Sequence, residues 1–525
     1  MKRAHLEAIL VTALFLFTLW LWSLPYQENQ MPYGEVDAGS HFALGDYMAQ
    51  TDKSIVNLPH YIDMRYNRDN FYENGKLWYH PPYHVNFALM EITGGERVLP
   101  IFLLNTILCS IVVIIIFFVI RNMFGFWPGF LTALLIVFSM RDIMIYLWGQ
   151  WPQQISYFYT PLVLYAFYKY ADSYLNKEPK AVYAYVFAIL LGINFWLHPV
   201  GCFHTIAALG FFSLFLLIRE KKIPFSMKQI SICILIFIIM IAIFPLQTAS
   251  VFVQMKGGSA EDKEASPLYH DFGGLFSWFP WKDVYAFEYK TQPEPYFYYK
   301  DMNGGWWTFP FLIAGLAFLF LRRKREDLML LGFLAGLYFM IHIAILGPGR
   351  PERSLAASAH IFYPIIALGV VMLPSLINNF IKMPKKVMKI LKYSLITIFI
   401  ICVFAFNFSP AYSQLKDAYQ GIIRITPSQY EASEWLMDNI PESANVSTVG
   451  ILMMQKERWM RFVGMRYIHG YKPEPPTPDY LLFDYSDWIL IGDNGKLNEI
   501  AAFEDNVTGS KIYDKNNIKV YKLEG

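Results

Sequence analysis

Long apolar runs separated by short polar stretches dominate this chain. Eleven such runs are candidates for membrane-spanning helices, which take about 17 to 25 residues. They lie near 8–24, 98–120, 126–140, 153–168, 182–197, 201–218, 229–247, 308–321, 328–346, 357–379 and 393–409. The pattern therefore predicts a polytopic α-helical membrane protein with about 11 transmembrane helices.

The basic residues predict how these helices are oriented. Nineteen of the 44 Lys and Arg residues fall in the alternate connections that begin with the amino terminus, and three fall in the short connections of the other side. Cytoplasmic connections carry the excess of positive charge in membrane proteins. We therefore expect a multi-pass protein of the cell membrane with a cytoplasmic amino terminus and an extracytoplasmic carboxy-terminal segment.

Three long segments fall on the predicted outer side: 25–97, 248–307 and 410–525. The last contains a helix signal at Thr426-Pro427-Ser428-Gln429 and β-rich runs at 445–452, 479–484, 487–491 and 510–523. The sequence therefore predicts two domains, a transmembrane domain over 1–409 and a small soluble α/β domain over 410–525.

Composition narrows the function. The chain is 55% hydrophobic and 16% charged, with a formal net charge of +2, which excludes a nucleic-acid partner. No Lys, Arg, Asp or Glu falls within the core of a predicted span, whereas ion-coupled transporters keep ionisable groups there. The histidines and acids that could carry chemistry lie in the predicted outer segments or at their borders.

The first outer segment offers the strongest candidates for catalysis. Asp37 and His41 lie one turn apart if a helix starts at Asp37, and a carboxylate there could accept a proton or bind a divalent cation. The alternative is an aspartate that only caps the helix. Glu35 precedes Asp37 by two residues, so Glu35, Asp37 and Asp142 could share Mg²⁺ or Mn²⁺, although metal dependence stays open.

Further candidates border the same outer side. His80 and His84 flank a stiff turn at Pro81-Pro82 that presents them to a substrate or only anchors the chain at the membrane interface. Trp148 and Gln150 lie in a Trp-Gly-Gln-Trp-Pro segment that could stack on a sugar or mark the same interface. His198 ends a span before a proline, and a lone histidine there is more often a structural group than a ligand. Arg350 and Arg353 lie on the predicted outer side, where basic residues are few. Their guanidinium groups could bind the phosphate of a lipid through paired hydrogen bonds, or could pair with Glu352 or with lipid headgroups.

The order of these motifs resembles the GT-C superfamily of membrane glycosyltransferases over nearly the full chain. The resemblance implies a polyprenyl-phosphate (dolichyl-type) sugar donor, usually inversion at the sugar carbon, and a first-loop acid as base, which Asp37 matches. It places Arg350 and Arg353 on the donor phosphate. The oligosaccharyltransferase signature is Trp-Trp-Asp, but here Thr308 takes the place of the aspartate after Trp306 and Trp307. Protein O-mannosyltransferases carry two adjacent acids in the first loop, whereas Val36 separates Glu35 from Asp37 here.

The sequence thus predicts a glycosyltransferase acting on a lipid, glycan or protein acceptor of the cell envelope, with His41 or His80 orienting the substrate. A second hypothesis is a transporter or flippase of a lipid-linked envelope precursor. A third is an inactive scaffold whose tail binds envelope partners. The sugar, the acceptor and the oligomeric state stay open.

Overall fold

A computed structural model describes residues 3–34, 36–51, 61–62, 79–256, 304–342, 357, 359–418, 424–472 and 477–524. Before residue 419, the regular elements among the described residues are helices and none is a strand. Its helices are α1 (Arg3–Trp22), α2 (Leu24–Gln27), α3 (Val36–Thr51), α4 (Pro81–Gly94), α5 (Leu99–Ser110), α6 (Val112–Phe124), α7 (Phe126–Val137), α8 (Met140–Trp148), α9 (Trp151–Leu175), α10 (Ala181–Leu197), α11 (Pro199–Glu220), α12 (Met227–Ala242), α13 (Pro245–Lys256), α14 (Phe309–Arg322), α15 (Arg325–His342), α16 (Ala359–Asn378) and α17 (Lys385–Asp417).

The described residues of the predicted apolar runs are mainly helical, because a long uninterrupted apolar run can satisfy its backbone in lipid only as a helix. The run at 98–120 is divided between α5 and α6, and the run at 328–346 extends past α15 beyond the described residues. Among the described residues, however, only five helices are long and apolar enough to cross a membrane, or six if α7 and α8, bent by 46°, form one span. Three more apolar segments are shorter, namely α10, α12 and 306–322. The helices indicate a multi-pass membrane protein, but a count of eleven spans is not confirmed.

The tail forms a five-stranded sheet flanked by helices. Its elements are α18 (Pro427–Asn439), β1 (Asn445–Val449), α19 (Met454–Gly464), β2 (Tyr467–Gly470), β3 (Tyr480–Asp484), α20 (Ser486–Ile491), α21 (Asn494–Glu504), β4 (Gly509–Lys515) and β5 (Ile518–Leu523). The strand order is β2-β1-β3-β5-β4. β1 pairs in parallel with β2 and β3, whereas β5 pairs antiparallel with β3 and β4.

Two local predictions in the tail meet different outcomes. The capping box is present, since the Thr426 side chain accepts from the Gln429 backbone and the Gln429 side chain accepts from the Thr426 backbone. The strand predicted at 487–491 is wrong, because 486–491 is helix α20. A short apolar run does not distinguish a strand from a helix, and the buried Asp487 side chain, paired with Lys456, fixes the start of this helix against α19.

Candidate active site

Asp37 lies in the first turn of α3, which begins at Val36. Asp37 is half-buried. The amino-terminal turn of a helix exposes unpaired backbone N–H groups and the positive end of the helix dipole, so it stabilises a carboxylate. The helix expected to start at Asp37 is thus present, with the acid at the end where its charge is favoured.

The loop between α8 and α9 packs directly on this turn. Gly149 ends α8 with φ +83°, and a Cβ atom added there would lie 2.2 Å from the Ala38 backbone nitrogen. Only glycine permits both the left-handed conformation and this close approach. Gly149 therefore brings the neighbouring Trp148 and Gln150 to the peptide that follows Asp37.

A hydroxyl contact fixes the segment before Asp37 to the same helix. The Tyr33 hydroxyl donates to the Tyr146 hydroxyl at 2.8 Å, and Tyr146 belongs to α8. Both side chains are buried. α8 therefore holds the segment before α3 through Tyr146, and its terminal loop contacts the first turn of α3 at Ala38.

His41 and His84 form a buried pair beside this turn. His41 Nδ1 lies 2.9 Å from His84 Nε2, and the Tyr79 ring contacts the His41 ring edge-on with centroids 4.9 Å apart. One of the two nitrogens must carry a proton and the other must accept it. Burial, and then the nearby His41, hold the pKa of His84 well below its usual value, so this histidine is neutral at physiological pH.

His80 is the residue immediately before α4 and points toward a different neighbour. Its Nε2 lies 3.2 Å from the Thr248 hydroxyl of α13, and Phe195 packs against its ring. Burial lowers the pKa of His80 to about 4. His80 can therefore exchange hydrogen bonds with a polar ligand but does not carry a positive charge near neutral pH.

Asp142, the second predicted acid, pairs with a histidine that sequence reasoning gave no role. Asp142 Oδ1 lies 3.0 Å from His360 Nε2 of α16, and both side chains are buried. Nδ1 of the same imidazole lies 3.4 Å from the Tyr157 carbonyl. His360 was visible in the sequence only as a histidine near the start of a span, and its pairing depends on how α16 packs against α8 and α9.

Arg141, next to Asp142, is buried beneath the Trp148 side chain. Its guanidinium carbon lies 5.3 Å from the centre of a Trp148 ring. A cation against an aromatic face is favourable, more so where water is excluded. This contact stiffens the indole of Trp148 close to the turn that carries Asp37.

The remaining predicted residues separate into described and undescribed ones. The His198 side chain accepts from the Val200 N–H at the start of α11, at 3.3 Å, which is a helix-capping contact. Glu35, Arg350 and Arg353 lie outside the described residues. The structure therefore brings together Asp37, Trp148 and Gln150, and pairs His41 with His84, whereas the predicted phosphate-binding arginines stay a prediction.

Metal binding also stays open, because Glu35 lies outside the described residues. Within the described ranges no three His, Cys, Asp or Glu side chains are grouped as metal ligands. Asp142 Oδ2 is buried and has no hydrogen-bond partner among the residues that the structure describes, so one donor atom of the predicted set is available. Glu35 is a member of that set, and the set as a whole is therefore untested.

Comparison with known families decides the membership of the chain. The model of a family of unknown function, DUF6541, matches residues 2–447. The chain belongs to this family. No curated protein matches the sequence.

Solved structures identify the fold of this DUF6541 protein. It resembles the archaeal oligosaccharyltransferase AglB from Archaeoglobus fulgidus, solved with an inhibitory peptide and a dolichol-phosphate, with a TM-score of 0.54, 12% identity, and coverage of 99% of this chain and 74% of that one. It also resembles ArnT from Cupriavidus metallidurans bound to undecaprenyl phosphate, with a TM-score of 0.56, 10% identity, and coverage of 98% and 97%.

A third similar structure is the mycobacterial arabinofuranosyltransferase AftD, with a TM-score of 0.55 and 10% identity over 98% of this chain and 40% of that one. All three neighbours are glycosyltransferases of the GT-C superfamily. At this level of identity the likeness establishes the fold, which is the fold expected from the sequence.

Proposed function

We propose that this DUF6541 protein is a glycosyltransferase that moves a sugar from a polyprenyl-phosphate-linked donor to a lipid, glycan or protein acceptor at the outer face of the membrane. One observation carries the proposal: in a GT-C fold, Asp37 lies in the first turn of α3, and the next residue, Ala38, is in close contact with Gly149 of the loop at 148–150. A half-buried carboxylate at the start of a helix, beside a loop that carries Trp148, suits a general base that acts on a sugar-binding site.

The proposed reaction is a direct displacement. Asp37 accepts the proton of the acceptor hydroxyl while the hydroxyl oxygen attacks the anomeric carbon. The bond between that carbon and the donor phosphate oxygen breaks, and the polyprenyl phosphate leaves with the bonding electrons. A single displacement inverts the configuration at the sugar carbon.

The other residues have supporting roles in this proposal. Arg350 and Arg353 bind the leaving phosphate, since guanidinium groups bind phosphate through paired hydrogen bonds. His41 or His80 orients the substrate as a neutral hydrogen-bonding group, and the low pKa of His80 supports that role. Trp148 offers an aromatic face to a sugar ring. Mg²⁺ or Mn²⁺ bound by Glu35, Asp37 and Asp142 would assist by neutralising phosphate charge.

A transfer assay tests this function. Purified full-length protein in detergent is incubated with short-chain polyprenyl-phosphate sugars and a pool of acceptors, and products are identified by mass spectrometry. The proposal predicts a glycosylated acceptor together with free polyprenyl phosphate. Recovery of bound but chemically unchanged lipid, combined with its translocation across reconstituted vesicles, would instead establish the transporter.

A further inference from the structure

The tail helix α19 lies against α3, the helix that begins with Asp37. The Trp459 indole nitrogen donates to the Gly34 carbonyl oxygen at 3.1 Å, and its ring packs against Phe42 with centroids 5.7 Å apart. A Cβ added to Gly39 would lie 2.5 Å from the Phe462 ring. The two helices are thus in direct contact over the first two turns of α3.

A charged side chain closes the far end of this contact. Arg97 donates two hydrogen bonds to the fully buried Asp46 carboxylate, at 2.8 and 2.7 Å, and a third to the Val463 carbonyl of α19 at 2.9 Å. The Nη2 nitrogen donates to both the Asp46 carboxylate and the Val463 carbonyl, so one side chain binds both partners. Arg97 therefore links the third turn of α3 to the end of α19.

The chain that leads into α3 is held by the tail as well. Arg424 donates to the carbonyl oxygens of Pro25, Asn29 and Met31, at 2.6, 2.5 and 2.7 Å. Its guanidinium also lies over the Tyr33 ring at 5.3 Å. Between them, Arg424 and Trp459 fix the backbone of residues 25–34 at both ends.

We propose that Trp459 is a positioning residue for the catalytic acid, acting through the Gly34 carbonyl. Gly34 has φ +104° and is separated from α3 by a single residue, so a shift of its peptide changes where the helix starts. Reaction rates fall steeply when a reacting group is misplaced by about 1 Å. The inference rests on the proposed role of Asp37 as base and adds that the tail is part of the active unit.

A matched pair of tryptophan variants tests this role in the full-length protein. Trp459→Phe removes the N–H donor and keeps an aromatic ring. Trp488→Phe removes a similar bond, from the Trp488 indole to the Gly450 carbonyl, that lies wholly within the tail. We expect Trp459→Phe to lower kcat about three- to tenfold, the value of one hydrogen bond, with the KM for donor unchanged. We expect Trp488→Phe to leave kcat unchanged.

Hydrogen–deuterium exchange separates this inference from the proposed function. Trp459→Phe should raise the exchange of peptides covering residues 32–45, and Trp488→Phe should not. This readout needs no turnover, so it tests the coupling even if the wild type transfers no sugar. Unchanged exchange in Trp459→Phe, or an equal loss of kcat in both variants, would overturn the role of Trp459.

A substitution at the other end of the contact between α3 and α19 tests whether these contacts act locally. Arg97→Lys keeps a positive charge beside Asp46 but loses the paired hydrogen bonds that Nε and Nη2 donate to the carboxylate. We expect it to raise exchange at the Asp46 end of α3 more than at the Asp37 end. A uniform rise over the whole tail would mean that these contacts only stabilise the fold, which contradicts the proposal.

Discussion

Asp142 and His360 are two buried ionisable side chains that depend on each other. Removing the partner of a buried charge leaves it without compensation, and this costs more than the pair itself contributes. The sequence identifies Asp142 as a candidate because it follows an apolar run in a polar connection. It cannot identify the pair, since 218 positions separate Asp142 from His360 and only the packing of α16 joins them.

Replacing one member of the pair should therefore destabilise the protein more than replacing both. We expect His360→Phe to lower the free energy of unfolding by about 3–5 kcal/mol, because it leaves the Asp142 carboxylate buried without its partner. Adding Asp142→Leu should restore part of that loss. Thermal unfolding of the single and double variants in detergent measures this, and a double variant that is no more stable than His360→Phe would contradict it.

At the scale of elements, the site depends on the corner between α8 and α9. Apolar length predicted the long helices of the membrane part, because a continuous apolar run has one structure compatible with lipid. It did not predict α8, which lies in the connection between two predicted spans. The same reasoning did not show that Gly149 touches Ala38, since sequence spacing contains no information on contacts between distant segments. It also missed strand β2, Tyr467–Gly470, which is only four residues long.

Two glycines with similar backbone angles, Gly149 and Gly95, allow the free-energy contribution of the close contact between Gly149 and Ala38 to be measured. Gly149 has φ +83° and contacts Ala38, whereas Gly95 has φ +69° and a Cβ there would meet nothing within 4 Å. Gly95→Ala should cost about 1–2 kcal/mol, the strain of the left-handed conformation. Gly149→Ala should cost more and should also lower transfer activity, because the loop must move away from Asp37.

Stability and activity of both variants are read by thermal unfolding and by the transfer assay. Equal destabilisation by the two substitutions, with activity retained in Gly149→Ala, would show that the approach to Ala38 does not shape the site.

For the whole molecule, the distribution of basic residues predicts the orientation of the protein in the membrane, which the fold alone does not determine. Lys222 follows α11 and Lys496 lies in α21 of the tail, and both are exposed. The distribution of Lys and Arg predicts Lys222 on the cytoplasmic side and Lys496 outside. The domain boundary at 409–410 also stays a prediction, and α17 continues through it to Asp417.

Cysteine labelling tests this orientation. The native cysteines favour the experiment, because Cys109, Cys202 and Cys233 are buried and only Cys402 is partly exposed. In a Cys402→Ser background, a membrane-impermeant maleimide should label Lys496→Cys in intact cells. It should label Lys222→Cys only after permeabilisation. The reverse pattern would invert the topology and place the candidate site on the cytoplasmic side.

The most direct test of the central claim compares wild type with Asp37→Asn, which keeps the shape of the side chain and removes its basicity. With a donor that the wild type uses, turnover should fall about 100- to 10,000-fold, the range of general base catalysis. Donor binding and thermal stability should stay near the wild-type values. Transfer at the wild-type rate by a folded Asp37→Asn protein would contradict the assignment of Asp37 as the base.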